Sequence, residues 1–188
     1  MRIFLLTSIY FLVGSAFAAE PLILTETSLG PISGKTRVTT ANLKKYFVGY
    51  KIQRETFFID GDASGESFKL SLGDDPIIEI NANTTDKSYI YSVIIHDPKI
   101  KTPGGIHIGS KLDDLIALKV LNTCTRGPEE TQHEVKCDAK NGSNIGYSFL
   151  ISAEEEALTE PGAVIRVAIQ PKRRIVTGIT WHPPRKLK

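Results

Sequence analysis

Four strand-length runs follow one another between Tyr50 and His96 with only turn residues between them, and this succession most constrains the fold. Tyr50 to Ile59 alternates, with Tyr50, Ile52, Arg54, Thr56 and Phe58 on one face and Lys51, Gln53, Glu55 and Phe57 on the other. Asp60-Gly61-Asp62 and Ser64-Gly65 then turn the chain. Glu66 to Leu72 sets Phe68, Leu70 and Leu72 on one face, and Gly73-Asp74-Asp75-Pro76 turns it again. Ile77 to Ala82 is a third run. Ser88 to His96 is the most β-prone, and its apolar density marks a central strand ended by Asp97-Pro98. Before these runs, Ile32 to Val38 reads as a first strand broken at Ser33-Gly34. Thr40 reads as the N-cap of a short helix, Ala41 to Phe47, stopped by Gly49.

The second half begins with Gly104-Gly105-Ile106-His107-Ile108-Gly109-Ser110. Ile106 and Ile108 flank His107 in a short strand, and Gly109 permits a tight turn. Ser110 is placed to cap a second helix, with Asp113 in the capping-box position. Leu112, Leu115, Ile116 and Leu118 follow helical spacing and are expected to be buried, while Asp113 and Asp114 face water at the positive end of the helix dipole. Thr131 to Cys137 and Ile145 to Ile151 read as strands around an Asn141-Gly142 hairpin signal. Ala153 to Leu158 reads as a turn of helix, and Val164 to Ile169 and Ile175 to Trp181 as the last strands. The expected class is α+β: antiparallel, strand-rich sheet with two short helices and one disulfide-stapled hairpin at Cys124 and Cys137, not an alternating nucleotide-binding fold. Strand, short helix and several strands occur from Ile32 to Ile80 and again from Ile106 to Ile151, a faint repeat of order without a repeated motif.

The N-terminus has the form of an export signal. Arg2 supplies the positive end, Ile3 to Val13 the apolar run, and Ala16-Phe17-Ala18 a small-x-small cleavage site, so the mature chain is expected to begin at Ala19. The apolar run is short for a membrane span, and no Cys stands beside the cleavage site to carry a lipid. The expected divisions are a signal peptide over 1–18, an extended lead-in over 19–29, one globular domain over 30–183 and a basic tail over 184–188. The expected location is the periplasm or the medium. In such an oxidising compartment, Cys124 and Cys137 form one disulfide, closing a short loop worth roughly 3 kcal/mol in the chain-entropy model.

A net charge of +2 argues against a nucleic-acid role. Charge is uneven, with acids at Glu154, Glu155, Glu156 and Glu160, and bases at Arg166, Lys172, Arg173, Arg174, Arg185, Lys186 and Lys188. This basic end is read as a solvated edge and tail, with contact to an anionic surface the sharper alternative. No phosphate loop, dinucleotide fingerprint or Gly-x-Ser-x-Gly elbow occurs, and no cofactor is expected. The one candidate chemical site is His96, Asp97 and His107, which could bind zinc or move protons if their strands meet. His133 and His182 stand singly. Ser33-Gly34-Lys35 is similar to the Ser-Gly loop of bacterial lysozyme inhibitors, although a turn explains it. Trp181, Tyr89 and Tyr91 are read as core aromatics before a binding platform.

Several segments carry a resemblance. Thr102 to Ser110, Leu112-Asp113-Asp114-Leu115, Cys124, Glu134-Val135-Lys136-Cys137, Ile145-Gly146-Tyr147-Ser148-Phe149, Glu160-Pro161-Gly162 and Val176 to Trp181 occur in the order and spacing of one family. A weaker echo lies at Gly30-Pro31-Ile32 and Gly49-Tyr50-Lys51-Ile52. The chain resembles the sigma-E-regulated, envelope-stress lipoproteins of enterobacteria, a family of unknown function. The resemblance implies a Gram-negative envelope protein and supplies no catalytic residues. This chain departs from it in lacking the lipid-anchor Cys. The function expected is non-enzymatic: binding an envelope protein or a cell-wall or lipid component. The alternatives are inhibition of a hydrolase such as lysozyme, and an unrecognised enzyme, metal-assisted or not, at His96, Asp97 and His107.

Overall fold

The computed structural model describes residues 21–58, 64–83, 85–86, 88–127, 133–140, 143–153, 160–165 and 174–184. The signal segment, Asn141-Gly142, the expected helix after Ala153, most of Val164 to Ile169 and the basic tail therefore lie outside the described residues. In chain order the elements are β1 (Ser28–Leu29), β2 (Ile32–Ser33), α1 (Thr40–Tyr46), β3 (Lys51–Phe58), β4 (Ser64–Ser71), β5 (Pro76–Ala82) and β6 (Ile90–Ile95). Then follow α2 (Leu112–Ala117), β7 (Leu121–Arg126), β8 (Glu134–Ala139), β9 (Ile145–Leu150), β10 (Val164–Ile165) and β11 (Val176–Trp181).

Apart from the small β1–β2 hairpin, these strands form one nine-stranded antiparallel sheet, ordered β10-β7-β8-β9-β11-β6-β5-β4-β3. Among the described residues sheet dominates, and α1 and α2 are only 7 and 6 residues long, so the α+β expectation holds loosely. The topology has a simple logic. A short helix precedes the meander β3–β6, and a second short helix precedes β7–β8–β9, which β11 completes after an excursion to β10 at the edge. The two halves join where β6 pairs antiparallel with β11.

Register explains the core. Ile52, Leu70, Ile78, Ile95, Ile179, Tyr147, Cys137 and Cys124 are successive Cα partners across eight strands. Beside them run Phe68, Ile80, Val93, Trp181 and Ile145. Because side chains alternate between faces, these rows make one apolar face, and the N-terminal hairpin, α1, α2 and their loops supply the other side of the core. Cys124 and Cys137 form the expected disulfide, staple β7 to β8 and are both buried. The opposite face carries Gln53, Glu55, Ser67, Lys69, Glu79 and Asn81 by the same alternation.

The structure corrects several local expectations. The first strand shrinks to Ile32–Ser33. Helix α1 starts at Thr40 because Thr39, not Thr40, is the N-cap, its Oγ1 accepting the Asn42 N–H at 3.1 Å. Ile106 to Ile108 is not a strand. The pairing falls just beyond it, where Gly109 N–H donates to Val176 O at 2.8 Å and Val176 N–H to Ser110 O at 2.9 Å. Ser110 does not cap α2, because its hydroxyl accepts the His107 N–H at 3.0 Å. The helix starts one residue later, with Asp114 Oδ2 accepting the Lys111 N–H at 3.1 Å. Leu112 and Leu115 are buried, but Ile116 and Leu118 are exposed. Leu72 is exposed too, since a register shift ends the β4 ladder at Ser71.

Candidate functional site

A cleft of about 560 Å³ lies on the core side of the second half, between the 102–106 loop, the end of α2 and the β8–β9 connection. Glu26 forms one end of it. Thr25 Oγ1 accepts the N–H groups of Thr27 and Ser28 at 3.3 and 3.0 Å, a local turn that holds Glu26 at the tip before β1. The carboxylate then reaches across the fold. Glu26 Oε1 accepts the Ser143 hydroxyl at 2.7 Å, Oε2 accepts the Asn144 N–H at 3.0 Å, and the Glu26 carbonyl accepts Trp181 Nε1–H at 3.2 Å.

The opposite wall is the closed loop Thr102 to Ile106. Thr102 N–H donates to Ile106 O at 2.9 Å, Gly105 N–H donates to Thr102 O at 2.8 Å, and Thr102 Oγ1 accepts the Ile106 N–H at 3.1 Å. Gly105 has φ of 82°, which a side chain would oppose. Pro103, Ile106, Leu118, Val120, Ala139, Ile145 and Tyr147 give the cleft an apolar lining.

Two lysines line the same cleft. Lys119 follows the C-cap of α2, and the chain closes there as a Schellman motif: Val120 N–H donates to Leu115 O at 3.1 Å and Lys119 N–H to Ile116 O at 2.9 Å. Glycine is the residue that suits this left-handed position, yet Lys119 occupies it with φ of 54°. Lys140 is tied to the other side of the cleft through its N–H to Val120 O at 2.6 Å.

Burial, and then the charge of Glu26, pushes the Tyr147 phenol up to about 12, so it stays protonated and can donate a hydrogen bond. The Ser143–Glu26 pair is not an activated nucleophile. A carboxylate is a weak base for a hydroxyl, and this one is held by the Asn144 N–H as well. The cleft therefore offers a molecule apolar contact, two lysines, one phenol donor and, at one end, the Glu26 carboxylate already held by Ser143 and Asn144.

The residues singled out in the sequence lie elsewhere. His96 is exposed just past β6, and its N–H donates to Ile77 O at 2.9 Å. Asp97 Oδ1 accepts the Lys99 N–H at 2.8 Å in the following turn. His107 Nδ1 sits 2.9 Å from Gly105 O and 3.0 Å from Ser110 Oγ. Among the described residues, no group of three or more His, Cys, Asp and Glu side chains is arranged to hold a metal ion. Ser33-Gly34-Lys35 is a turn, and a Cβ added at Gly34 would come within 3.0 Å of Pro183 and Pro184. Trp181 is fully buried, as expected, but Tyr89 and Tyr91 are exposed instead of core. A β-bulge explains Tyr91. The register jumps from Asn81↔Ser92 to Ala82↔Ile90 and leaves Tyr91 unmatched. Sequence reasoning missed Glu26, Lys119, Lys140 and Tyr147. Only Lys119 had a local signal, as a non-glycine after the helix.

A disulfide-stapled, antiparallel sheet protein with a half-apolar, lysine-flanked cleft is the class that fold and site define. The chain belongs to the family described as "Protein of unknown function (DUF1131)", whose model matches residues 13–158. Its fold is similar to that of the uncharacterized protein YfeY from Escherichia coli, seen in a crystal structure. The two share 20% identity with a TM-score of 0.63, over 84% of this chain and 97% of that one. No curated protein matches the sequence. No helix among the described residues is long and apolar enough to cross a membrane.

Proposed function

We propose that this protein is a non-enzymatic binding module of the Gram-negative envelope, exported by residues 1–18 and free in the periplasm, whose cleft takes an anionic amphiphile. The export reading rests on Arg2, the Ile3 to Val13 run and Ala16-Phe17-Ala18. The envelope reading, with control by envelope stress, rests on the resemblance of Thr102 to Trp181.

The observation that carries the ligand class is Lys119. A lysine held at φ of 54° gives up stability that glycine would supply at that position. In return it places a lysine among the lining residues of a cleft whose apolar wall includes Ile106 and Ile145. An acyl chain suits that wall, and a phosphate or carboxylate suits Lys119, Lys140 and the Tyr147 hydroxyl.

Calorimetric titration tests this with dodecyl phosphate, dodecyl maltoside and inorganic phosphate, each below its micellar concentration where one exists. Dodecyl phosphate is expected to bind tightest, because it alone satisfies both halves of the cleft. Gly104→Leu, which extends toward Leu118 across the mouth, is expected to abolish that preference. Equal affinity for all three probes, or dodecyl phosphate binding untouched by Gly104→Leu, contradicts the reading.

A further inference from the structure

The open face of the first half carries a second depression, of about 390 Å³, lined by Glu55, Thr56, Phe57, Ser67, Glu79, Asn81, Tyr91 and Ser92. Its two ends are aromatic. Phe57 is the Cα partner of Gly65, and a Cβ on Gly65 would collide with the Phe57 ring, so the absent side chain lets that ring lie across β4. Phe57 is nevertheless 37% exposed. At the far end stands Tyr91, which the bulge in β6 brings to the same depression; it is 53% exposed, and its ring meets that of His182 in a T-shaped contact with centroids 5.6 Å apart. The strands that carry Phe57 and Tyr91, β3 and β6, are three strand spacings apart, or roughly 14 Å.

Between them lies a pre-ordered polar floor. The Ser67 hydroxyl donates to Glu79 Oε1 at 2.9 Å, and Asn81 Nδ2 donates to Ser92 Oγ at 3.2 Å. Glu55 is held by Gln53 Nε2 at 3.1 Å and Lys69 Nζ at 2.7 Å. These bonds fix the side chains and leave Glu79 Oε2 and Asn81 Oδ1 as acceptors for an incoming group. The floor is acceptor-rich and carries two carboxylates, so it disfavours anions, including phosphate and nucleic acid.

We infer that this depression binds a neutral oligosaccharide laid across β3–β6. Phe57 and Tyr91 stack on the C–H faces of two sugar units, and Glu79 and Asn81 accept hydrogen bonds from hydroxyls between them. A depression lined from four successive strands asks for a chain of sugars in place of a single unit. This site is separate from the amphiphile cleft, and each stands or falls alone.

The test is a calorimetric titration of the oxidised protein with chitotetraose and with maltotetraose, against glucose as the single-unit control. At least one tetrasaccharide is expected to bind, and more tightly than glucose. Phe57→Ala and Tyr91→Ala should each weaken that binding about five- to tenfold. Phe57→Ala uncovers Gly65 and could disturb the strand, so Glu79→Gln provides a second probe that keeps an acceptor for Ser67; it should weaken binding several-fold with an unchanged melting temperature. Gly104→Leu, in the other cleft, should leave sugar affinity unchanged. No binding of either tetrasaccharide overturns the inference, as does binding that Tyr91→Ala and Glu79→Gln both leave intact.

Discussion

The indole N–H of Trp181 donates to the main-chain carbonyl of Glu26 across 3.2 Å, joining positions 155 residues apart. The contact ties the last strand of the sheet to the hairpin that begins the fold. Trp181 is fully buried, and its Cα partners Val93 and Ile145 belong to the two halves of the sheet. Trp181→Phe keeps an aromatic ring but removes the donor and some volume. The expected cost is about 2–3 kcal/mol, from one unpaired carbonyl and imperfect packing. Urea unfolding measures it, and hydrogen exchange should speed up at Ser28 and Asn144, which share the Glu26 turn.

Lys119→Gly should stabilise the protein. The left-handed backbone at φ of 54° suits glycine, and the Schellman hydrogen bonds of Lys119 and Val120 are main-chain bonds that survive the change. The expected gain is about 1 kcal/mol, read as a rise in Tm of roughly 2–4 °C. The same substitution should weaken dodecyl phosphate binding. A variant that gains stability and loses affinity separates a retained charge from a merely tolerated one. Unchanged affinity would remove Lys119 from the site.

Tyr147 makes stability depend on alkaline pH. Its phenol is pushed up to about 12, first by burial and then by the Glu26 carboxylate, from about 10 in the unfolded chain. A folded pKa above the unfolded one contributes stability that is complete below pH 10 and is lost as pH rises through 12. The contribution is on the order of 2 kcal/mol. Urea midpoints between pH 9 and 12 should fall accordingly, and less steeply in Tyr147→Phe. Glu26→Gln should lower the Tyr147 pKa, as followed by tyrosinate absorbance.

Reduction of Cys124–Cys137 should lower stability by about 3 kcal/mol, because the cross-link closes a loop of sequence separation 13. The two residues are Cα partners in β7 and β8, so the staple reinforces a pairing that main-chain bonds already make. The reduced protein should therefore keep its sheet by circular dichroism while unfolding at a lower urea concentration.

Much of the sheet was legible because period-two alternation and turn residues are local. Lys51 to Phe58, Pro76 to Ala82, Glu134 to Ala139 and Val176 to Trp181 fall within or close to the runs read from the sequence. Errors came where a long-range partner overrides a local signal. Ser110 has the side chain of an N-cap, but His107 takes its hydroxyl. Tyr91 has the alternation of a core residue, but the bulge at Asn81/Ala82 turns it out. The site was less legible still. Glu26 acts on Ser143 and Asn144 through contacts 117 and 118 residues long, and nothing in its neighbours announces them. His96, Asp97 and His107 drew attention because their side chains are chemically versatile. In the fold, Asp97 and His107 engage their own turns, and His96 sits exposed at the end of its strand.

The most direct measurement is a methyl NMR titration of the oxidised protein with monomeric dodecyl phosphate. Saturable shifts are expected at Ile106, Leu118, Val120 and Ile145, the methyl-bearing lining of the cleft, and they should shrink in Lys119→Gly. Shifts spread over exposed Ile23, Val48 and Ile175, or no shifts at Ile106 and Ile145, would contradict an amphiphile-binding cleft.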